Sequence, residues 1–468
     1  MRLSLGELAH LTSGRVAAGD PFQLVLGMAT DSRRVRAGDL FCALPGERTD
    51  GHRFIGAALA AGAVGALAAE TPPDLPAGKA LLLVDDPVKA LGRAAATWLS
   101  RLRPRLRVIG VTGSVGKTTT RTLAVAAAAA RLRVLEPPGN YNTEIGLPIA
   151  CLEATPEHDV AILELAMRGA GQIARLAEIC RPEIGALTLI GPSHIEVLGS
   201  MEAVAAAKAE LLEALPADGL AVLNADDPWQ RRIAAKSPAP VRWYGCGPDA
   251  DIQASDVVVL PGAGTRFRLR LPGQAPVEVC LRLPGRHQVG NAMAAAGAVA
   301  ALGLPAEAIA QGLARAEPPH DRLEIHHVGP VTLISDVYNA SPASSAAALD
   351  VLAQVSSPGR ALILFGDMLE LGEVTEPGHR EVGGAVARSP ARALATVGRS
   401  SATWLRPASG LPGPDCDEPE AAADWALREV RPGDTVLVKG SRGMEMERAL
   451  ERLRRGLAAA TGGRVGPG

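Results

Sequence analysis

Cysteine is scarce in this chain, which has six cysteines among its 468 residues and no pair at the spacing C-x-x-C. The six positions, 42, 151, 180, 246, 280 and 416, are scattered along the sequence. Disulfide-rich secreted domains and thiolate metal sites both need cysteines in recognisable groups. The pattern therefore argues against either class and predicts reduced thiols in a cytoplasmic protein.

Long hydrophobic runs and an excess of basic charge are also missing. The N-terminal stretch MRLSLGELAHLTSGRV lacks the apolar segment of a signal peptide. The longest apolar run, Gly56 to Ala69, is rich in Ala and Gly and is too short to cross a bilayer. The net charge is −2 and the isoelectric point is near 6.5. We therefore expect no membrane insertion and no nucleic-acid partner.

Lysine is the third scarce residue, because only six of the 48 basic residues are lysines. They stand at positions 79, 89, 117, 208, 236 and 439. Where a positive charge alone is needed, this chain normally uses arginine. A lysine inside a motif therefore indicates a need for amine chemistry or for a compact ammonium group, although some of the six fall outside any motif.

The length suits two or three domains, and proline placement favours three. An Arg-Pro pair at 103–104 closes a first unit, and the stretch Glu317-Pro318-Pro319-His320 forms a stiff linker, since consecutive prolines disfavour helix. The hydrophobic fraction of 47% is enough for large cores. The predicted domains are 1–104, 105–316 and 317–468.

The second and third units alternate short apolar runs with alanine-rich helical stretches. Such runs are typical of strands in a buried parallel sheet. Polar residues follow each run, after Val111, Leu163, Ile190, Leu223, Ser335, Phe365 and Val438. Because ligands bind beyond the carboxyl ends of parallel strands, we predict two α/β domains with polar edges that face each other. The first unit is predicted to be a smaller α/β domain with polar loops at 30–33 and 46–51.

The stretch GVTGSVGKTTT, residues 110–120, joins a predicted strand to a predicted helix. Its spacing differs from the usual phosphate-loop pattern, because five residues separate Gly110 from Gly116. Glycines allow backbone N–H groups to converge on one anion. Lys117 can reach the phosphates, and the Thr118 hydroxyl can bind Mg²⁺ at the helix N-terminus. We interpret the stretch as a nucleotide loop, and the alternative is a plain strand-to-helix turn.

Three further residues could serve a metal. Glu164 ends the next strand, and a carboxylate there suits Mg²⁺, which prefers oxygen ligands. His194 follows another strand, and Lys208 lies in the middle of a helix that Ser200 caps. Taken singly, each also fits a plain role: a solvated strand end, a loop histidine and a solvated helical lysine.

His287 and Asn291 stand four residues apart at the start of a predicted helix. An asparagine amide can pair with an adenine edge in two places. Helix capping explains the same residues equally well, and both interpretations stay open from the residues alone.

These motifs resemble those of the Mur ligases, ATP-dependent amide-forming enzymes of peptidoglycan precursor synthesis. The family loop, T-G-x-x-G-K-[ST], matches residues 112–118 and accounts for the unusual spacing. GNYNTEIGLP, HIEVLGSMEAVAAAKAELLEAL, DVYNASP, GDMLELGE and VLVKGSRG also match, in family order between about residues 30 and 450. The likeness is strongest to members that add D-alanyl-D-alanine to UDP-N-acetylmuramoyl-tripeptide. The D-N-P-R stretch usual in members that add diaminopimelate does not occur in this sequence.

The resemblance implies an α/β fold of three domains. These are a small N-terminal α/β UDP-binding domain, a central P-loop ATPase domain with a mostly parallel sheet, and a C-terminal Rossmann-like α/β ligase domain that closes over the nucleotide. It implies ATP and two Mg²⁺ ions, with UDP-N-acetylmuramoyl-tripeptide and D-alanyl-D-alanine as substrates. The implied reaction forms an acyl phosphate, which the dipeptide amine then attacks. We expect a cytoplasmic monomer.

The resemblance also assigns roles to single residues. Catalytic roles are expected for Lys117, His194 and Lys208, the last as a carbamate. Nucleotide contacts are expected from Thr112, Gly113, Ser114, Gly116, Lys117, Thr118, Thr119, His287, Asn291, Arg322 and Asp336. Substrate contacts are expected from Thr30, Asp31, Ser32, Arg33, Asn142, Tyr338, Asn339, Lys439, Ser441 and Arg442. The expected metal ligands are Thr118, Glu164, His194 and Lys208.

Three positions depart from the family pattern. Ser114-Val115 replaces a commoner Thr-Asn, Thr143 stands where a second Asn is frequent, and Ala166 stands where Gly is frequent. None of the three removes an expected ligand. The competing interpretations are a folylpolyglutamate-type ligase, a binding protein that hydrolyses ATP without forming a bond, and an inactive scaffold.

Overall fold

The structure is a computed structural model, and it describes residues 1–46, 49–138, 141–260, 263–356 and 360–461. The described residues form three α/β units in chain order, each built around its own sheet. Positions 47–48 of the predicted loop 46–51, and the first two residues of GNYNTEIGLP, lie outside the described residues.

The first unit holds a five-stranded sheet in the order β2-β7-β6-β5-β4, with β2 antiparallel and the rest parallel. Its strands are β1 (Leu3–Ser4), β2 (Arg15–Ala18), β3 (Leu24–Val25), β4 (Gly27–Ala29), β5 (Asp39–Cys42), β6 (Gly65–Ala68) and β7 (Ala80–Leu83), and its helices are α1 (Leu5–Thr12), α2 (Ile55–Ala60) and α3 (Pro87–Leu102). Helix α3 begins after Asp86, whose carboxylate accepts from the N–H groups of Val88 and Lys89. Strands β1 and β3 form a separate antiparallel pair.

The central unit carries a sheet of nine described strands in the order β16-β15-β14-β13-β12-β11-β8-β10-β9. These strands are β8 (Arg107–Thr112), β9 (Val134–Leu135), β10 (Val160–Glu164), β11 (Ile184–Leu187), β12 (Leu220–Asn224), β13 (Val241–Gly245), β14 (Ile252–Leu260), β15 (Gly264–Arg270) and β16 (Val277–Leu281). The helices are α4 (Lys117–Ala129), α5 (Gly146–Leu152), α6 (Gln172–Cys180), α7 (Ile195–Leu198), α8 (Met201–Glu213), α9 (Pro228–Ile233), α10 (His287–Ala300) and α11 (Ala306–Leu313).

Strands β8 to β14 are parallel, while β15 pairs antiparallel with both β14 and β16. Strand β8 lies inside the sheet, between β10 and β11, and the glycine-rich loop follows it directly. Because neighbouring crossovers diverge at such a position, it is where doubly wound sheets open a crevice for ligands.

The third unit is a six-stranded sheet in the order β17-β18-β22-β19-β20-β21, parallel except for β17. Its strands are β17 (Glu324–Val328), β18 (Val331–Asp336), β19 (Ala361–Gly366), β20 (Ala391–Val397), β21 (Asp415–Cys416) and β22 (Thr435–Lys439), and its helices are α12 (Pro342–Val355), α13 (Thr375–Ala387), α14 (Arg406–Ser409), α15 (Pro419–Glu429) and α16 (Glu447–Thr461). Single turns of 3₁₀ or π helix span Ser32–Arg34, Gly51–Phe54, Ala234–Lys236, Gly372–Val374, Ser401–Leu405 and Arg442–Met444.

Direct contacts join the three units. The indole N–H of Trp98 on α3 donates to the Ala154 carbonyl at 2.9 Å, which fixes the first unit against the central one. Two polar contacts join the third unit to the central one. Arg322 donates a hydrogen bond to Thr118, and Glu370 pairs with His194. The carboxyl ends of the two larger sheets therefore face each other across a cleft.

All six cysteines are free thiols, and Cys42, Cys151 and Cys180 are buried. No helix in the described part of the chain combines the length and the apolar character that crossing a bilayer requires.

Candidate active site

The loop after β8 depends on two glycines. Gly113 has φ 149° and Gly116 has φ 88°, which are backbone conformations that side chains disfavour. Space excludes a side chain as well, because a Cβ would lie 2.0 Å from the Thr188 hydroxyl at Gly113 and 2.4 Å from the Asn291 amide oxygen at Gly116. Thus the loop backbone can turn its N–H groups toward one point at the start of α4.

Lys117 opens α4 and folds back over the loop. Its Nζ donates to the carbonyls of Gly113 at 2.9 Å and Ser114 at 3.1 Å. Burial lowers the pKa of this ammonium, while the Glu164 carboxylate opposes that shift. Ser114 is held at its side chain, which donates to the Gly191 carbonyl at 2.8 Å and accepts from the Ser193 hydroxyl. The loop is therefore tied to the segment after β11.

Thr118 and Glu164 form the oxygen pair that the sequence predicted as metal ligands. The Thr118 hydroxyl donates to one carboxylate oxygen of Glu164 at 2.8 Å, and the Asn142 amide donates to the other at 2.9 Å. Burial would raise the pKa of Glu164, but Lys117, Arg322 and these two hydrogen bonds lower it overall. Asn142, expected to contact substrate, lines the cleft and also orients Glu164.

Arg322 reaches this pair from the third unit. Its Nη2 donates to the Thr118 hydroxyl at 3.1 Å. The guanidinium also lies 4.0 Å from the ring centroid of Tyr338. A cation is thereby held beside Glu164, which supplies part of the charge that a buried carboxylate needs.

His194 and Lys208 lie on the other side of the loop. His194 precedes α7, and its Nδ1 lies 2.6 Å from Glu370 Oε2 of the third unit. Lys208 is 1% exposed in the middle of α8. Burial, reinforced by the charge of Lys117, lowers the pKa of its amine well below the ordinary value. Within the described residues this amine has no hydrogen-bond partner, so the solvated-helix interpretation of Lys208 is wrong.

His287 and Asn291 both lie in the first two turns of α10, but neither caps it. The residue at the N-cap is Arg286, and its side chain makes no capping bond. Asn291 receives the Thr120 hydroxyl on its oxygen at 3.4 Å and donates to Gln288 at 2.8 Å. Burial lowers the pKa of His287 to about 4. A neutral imidazole therefore lines the cleft next to Asn291.

Lys439 and Asp336 form a buried ion pair in the third unit. Lys439 is fully buried, and its Nζ donates to the Asp336 carboxylate and to the Asn339 carbonyl. A direct substrate contact by Lys439 does not fit this arrangement, because the amine already has both partners inside the domain. Lys439 instead fixes Asp336, which lines the cleft.

Ser441 and Asn339 also act within their own unit. The Ser441 hydroxyl accepts from the Leu369 N–H at 2.9 Å and is nearly buried. The Asn339 amide oxygen accepts from the N–H of Ala340 at 2.9 Å. Tyr338 and Arg442 also line the cleft, and the Arg442 guanidinium lies 5.7 Å from the Tyr338 ring centroid.

The cleft has two connected lobes. The narrower lobe is lined by Ser114, Gly116, Lys117, Thr119, His194, His287, Asn291, Arg322, Asp336, Asn339 and Ser341, among others. The other is wider and is lined by Lys117, Thr118, Asn142, Glu164, Arg168, His194, Arg322, Tyr338, Leu369 and Arg442, among others. Lys117, His194 and Arg322 border both lobes, so a molecule in either lobe would reach the phosphate loop.

The four first-unit residues predicted to contact the UDP-sugar do not line this cleft. Asp31 accepts from the N–H of Arg33 at 3.0 Å and pairs with the Arg33 guanidinium, which is exposed. This pairing lowers the pKa of Asp31 to about 2. Thr30 and Ser32 flank the same exposed turn, so the structure groups the four residues together but keeps them apart from the phosphate loop.

Sequence reasoning missed two contacts between units. Arg34 Nη1 donates to the Tyr141 hydroxyl at 2.8 Å, which joins the first unit to the segment that carries Asn142. Glu370 meets His194 from the third unit. Both residues lie in or beside stretches already singled out, TDSRR and GDMLELGE, but a single sequence gives no indication of which residues pair.

The fold and the loop define the class of protein first. It is a three-unit α/β nucleotide-binding protein whose phosphate loop lies inside a mostly parallel sheet and faces a second α/β unit. Family models agree along most of the chain: Mur ligase family, catalytic domain, over 25–98; Mur ligase middle domain over 111–299; and Mur ligase, glutamate ligase domain, over 321–442. The chain belongs to the Mur ligase family.

Individual relatives narrow the comparison. The chain is 34% identical to the UDP-N-acetylmuramoyl-tripeptide–D-alanyl-D-alanine ligase of Bacillus subtilis, over 97% of this chain and 98% of the relative. It is similar to a crystal structure of MurF from Acinetobacter baumannii, with a TM-score of 0.89, 29% identity and coverage of 97% and 99% of the two chains. It is also similar to MurF ligase from Thermotoga maritima in complex with ADP, with a TM-score of 0.80, 28% identity and coverage of 93% and 98%.

Proposed function

We propose that this chain ligates D-alanyl-D-alanine to UDP-N-acetylmuramoyl-tripeptide with ATP, giving the pentapeptide, ADP and phosphate. The observation that carries the proposal is the nearly full-length similarity to ligases of that name. The cleft supports it, because the phosphate loop and the third unit meet at one place. An ATP-dependent ligase needs that arrangement to bring the phosphoryl group, the acid and the amine together.

ATP is the nucleotide, and the loop from Gly113 to Thr118 receives its phosphates. The ADP complex of the Thermotoga maritima relative supports this assignment. His287 and Asn291 then border the adenine, and Asp336 and Arg322 face the ribose and phosphates across the cleft. The imidazole of His287 is neutral near pH 7, because burial lowers its pKa to about 4.

The residues around the loop fit one Mg²⁺ ion. The Thr118 hydroxyl and the Glu164 carboxylate are oxygen donors already within 2.8 Å of each other, and Mg²⁺ prefers such ligands. When bound, magnesium neutralises charge on the transferring phosphoryl group. Asn142 keeps Glu164 oriented by its hydrogen bond at 2.9 Å.

A second Mg²⁺ site would use His194 with a carbamate on Lys208. A carbamate forms when an uncharged amine attacks carbon dioxide and releases a proton, so the amine must lose its charge first. Lys208 meets this condition, since burial lowers the pKa of its ammonium well below the ordinary value. The carbamate would place a carboxylate-like group on a long stem, which arginine cannot provide.

The reaction follows from this geometry in two steps. A carboxylate oxygen of the tripeptide attacks the γ-phosphorus, and the bond from phosphorus to the ADP oxygen breaks. The dipeptide amine then attacks the acyl carbon, and phosphate leaves. Lys117 compensates charge on the phosphoryl oxygens, while the third domain covers the cleft and keeps water from the acyl phosphate.

We place the domain boundaries at 1–104, 105–316 and 317–468, with UDP-sugar contacts at Thr30, Asp31, Ser32 and Arg33. The chain acts as a monomer in the cytoplasm, which its free thiols support. Light scattering of the purified protein tests the monomer, and a mass of twice 48.2 kDa would contradict it.

The test of the reaction is ADP release by the purified protein with Mg-ATP and UDP-N-acetylmuramoyl-tripeptide, with and without D-alanyl-D-alanine. We expect release that depends on the dipeptide, and a product heavier than the tripeptide by the dipeptide less water. ADP release that does not depend on the dipeptide would instead indicate an ATPase or another acceptor. An absence of release would support an inactive scaffold.

A further inference from the structure

The third-domain wall of the wide lobe carries a cation, Arg442, that forms no ion pair with any residue the structure describes. Arg442 follows β22 in a 3₁₀ turn, and its side chain lines the lobe. Among the described residues, no carboxylate or carbonyl accepts a hydrogen bond from its guanidinium. The guanidinium instead faces the aromatic ring of Tyr338, whose centroid lies 5.7 Å away.

Tyr338 fixes where that cation stands. Its ring receives Arg322 at 4.0 Å as well as Arg442 at 5.7 Å, so two guanidinium groups share one aromatic ring. Aromatic contact limits the orientation of a guanidinium while leaving its N–H groups able to bind a carboxylate. Arg442 is therefore a positioned donor group that faces a cleft and lacks an acceptor.

An apolar side chain lies beside it. Leu369 is 42% exposed and lines the same lobe. It approaches the turn of Arg442 closely, since a Cβ built at Gly443 would lie 2.9 Å from Leu369 Cδ1. A free guanidinium next to an exposed leucine is suited to a small molecule that has a carboxylate and methyl groups.

A chain of side-chain contacts leads from Arg442 to the phosphate loop. Arg322 donates to Thr118 at 3.1 Å and contacts the same ring as Arg442. Two extended residues span at most about 7 Å. A dipeptide held by its carboxylate at Arg442 would thus extend toward the place where the acyl phosphate forms.

We propose that Arg442 binds the terminal carboxylate of the acceptor dipeptide, with Tyr338 positioning the guanidinium and Leu369 contacting an alanine methyl. This inference rests on the proposed function and assigns the acceptor subsite within it. The acceptor amine is thereby directed at Lys117 and Thr118, while the UDP-sugar approaches from the first domain.

Arg168 is the rival cation for this role. It lines the same lobe from the loop after β10, and its side chain is exposed. No aromatic ring among the described residues lies against its guanidinium. Arg168 belongs to the central domain, which also carries the phosphate loop, so it cannot couple acceptor binding to closure of the third domain. Arg442 can couple acceptor binding to closure, because both Arg442 and Tyr338 belong to the third domain and move with it.

The experiment compares D-alanyl-D-alanine with its C-terminal amide, which keeps the amine and lacks the carboxylate. The dipeptide-dependent kcat/KM is measured with saturating Mg-ATP and UDP-N-acetylmuramoyl-tripeptide for the native chain, Arg442→Ala and Arg168→Ala. We expect amidation to lower the native kcat/KM by at least about 30-fold, and Arg442→Ala to lower it by a similar factor for the free dipeptide. The amide should be used almost equally well by both proteins, with the KM for ATP unchanged.

Arg392→Ala is the matched control, because Arg392 is an exposed arginine at the amino end of β20, the edge of the sheet away from the cleft. It should leave the preference for the free carboxylate intact. The assignment would be overturned if Arg442→Ala lowered kcat/KM equally for the dipeptide and its amide. It would also be overturned if Arg168→Ala, and not Arg442→Ala, abolished the preference for the free carboxylate. If the native protein fails to use the dipeptide at all, the proposed function itself is overturned.

Discussion

Lys208 is the residue whose surroundings depart most from what its type predicts. It lies in the middle of α8 with 1% of its surface exposed, and burial lowers the pKa of its amine. A lysine without a partner in such a place is costly unless it is modified or metal-bound. We therefore expect Lys208→Ala to slow ligation by at least about 100-fold, with partial rescue by acetate or another short carboxylate.

Dipeptide-dependent ADP release, measured with and without acetate, checks this expectation. Lys236→Ala is the matched control, since Lys236 is an exposed lysine that pairs with Glu213 at 2.9 Å. Full activity in the Lys208→Ala protein would contradict the carbamate.

At the scale of residues, the sequence predicted the chemical role of a side chain better than the residue that it contacts. Lys117, Thr118 and Glu164 could be predicted, because a strand, a glycine-rich loop and a helix follow each other in the chain. The partner of Lys439 could not, since Asp336 lies more than 100 positions away and meets it only through the pairing of β18 with β22. The hydrogen bond from Asn142 to Glu164 was likewise not predictable, because the two residues come together only in the fold.

At the scale of elements, Tyr141 and Asn142, between β9 and α5, link the first domain to Glu164. Tyr141 accepts from Arg34 at 2.8 Å, and the next residue, Asn142, holds Glu164. We expect Tyr141→Phe and Arg34→Ala each to lower kcat/KM for the UDP-sugar substrate by about fivefold, the effect of one net hydrogen bond. Because both changes remove the same interaction, the double variant should lose no more than either single one.

Initial rates over a range of UDP-N-acetylmuramoyl-tripeptide concentrations measure this coupling. Arg36→Ala serves as control, because Arg36 is exposed two positions further along the same loop. Losses that multiply in the double variant would show that Arg34 and Tyr141 act independently.

Strands that consist of one apolar run were predictable from the sequence. The antiparallel strands β14 to β16 at one edge of the central sheet were not. The runs ending at Leu163, Leu223 and Phe365 form β10, β12 and β19 within one or two residues. Strands β15 and β16 alternate exposed and buried residues, and β15 carries arginines at 266, 268 and 270. Their strand character comes from pairing with each other, which a search for continuous apolar runs does not detect.

At the scale of the whole molecule, two of the polar contacts between the third and central domains lie beside the phosphate loop. Arg322 donates to Thr118, and Glu370 pairs with His194. Contacts of this partly exposed kind contribute at most about 1 kcal/mol each. We therefore expect the double variant Arg322→Ala, Glu370→Gln to shift the unliganded protein toward open forms by about tenfold.

Small-angle X-ray scattering without nucleotide measures this shift as a larger radius of gyration. Glu373→Gln is the control, since Glu373 is exposed in the turn that follows Glu370. Scattering curves that coincide for the double variant and the native chain would show that other contacts hold the domains together.

The family and the three-domain α/β architecture were predicted from the sequence and are confirmed. The way in which the domains meet was not predictable, because it depends on single side chains such as Glu370. A helix or strand leaves a periodic pattern of apolar residues in the sequence, whereas an ion pair between domains leaves none.

The distribution of thiols gives this chain its own labelling sites. Burial raises the pKa of the Cys42, Cys151 and Cys180 thiols, so alkylating reagents would leave these three untouched. Cys246 and Cys280 are exposed on the central domain, and Cys416 is half-buried on the third. With one of the two exposed cysteines replaced, a donor and an acceptor dye would stand on the two domains that flank the cleft. Energy transfer between them could then follow each closing event in single molecules, with no cysteine added.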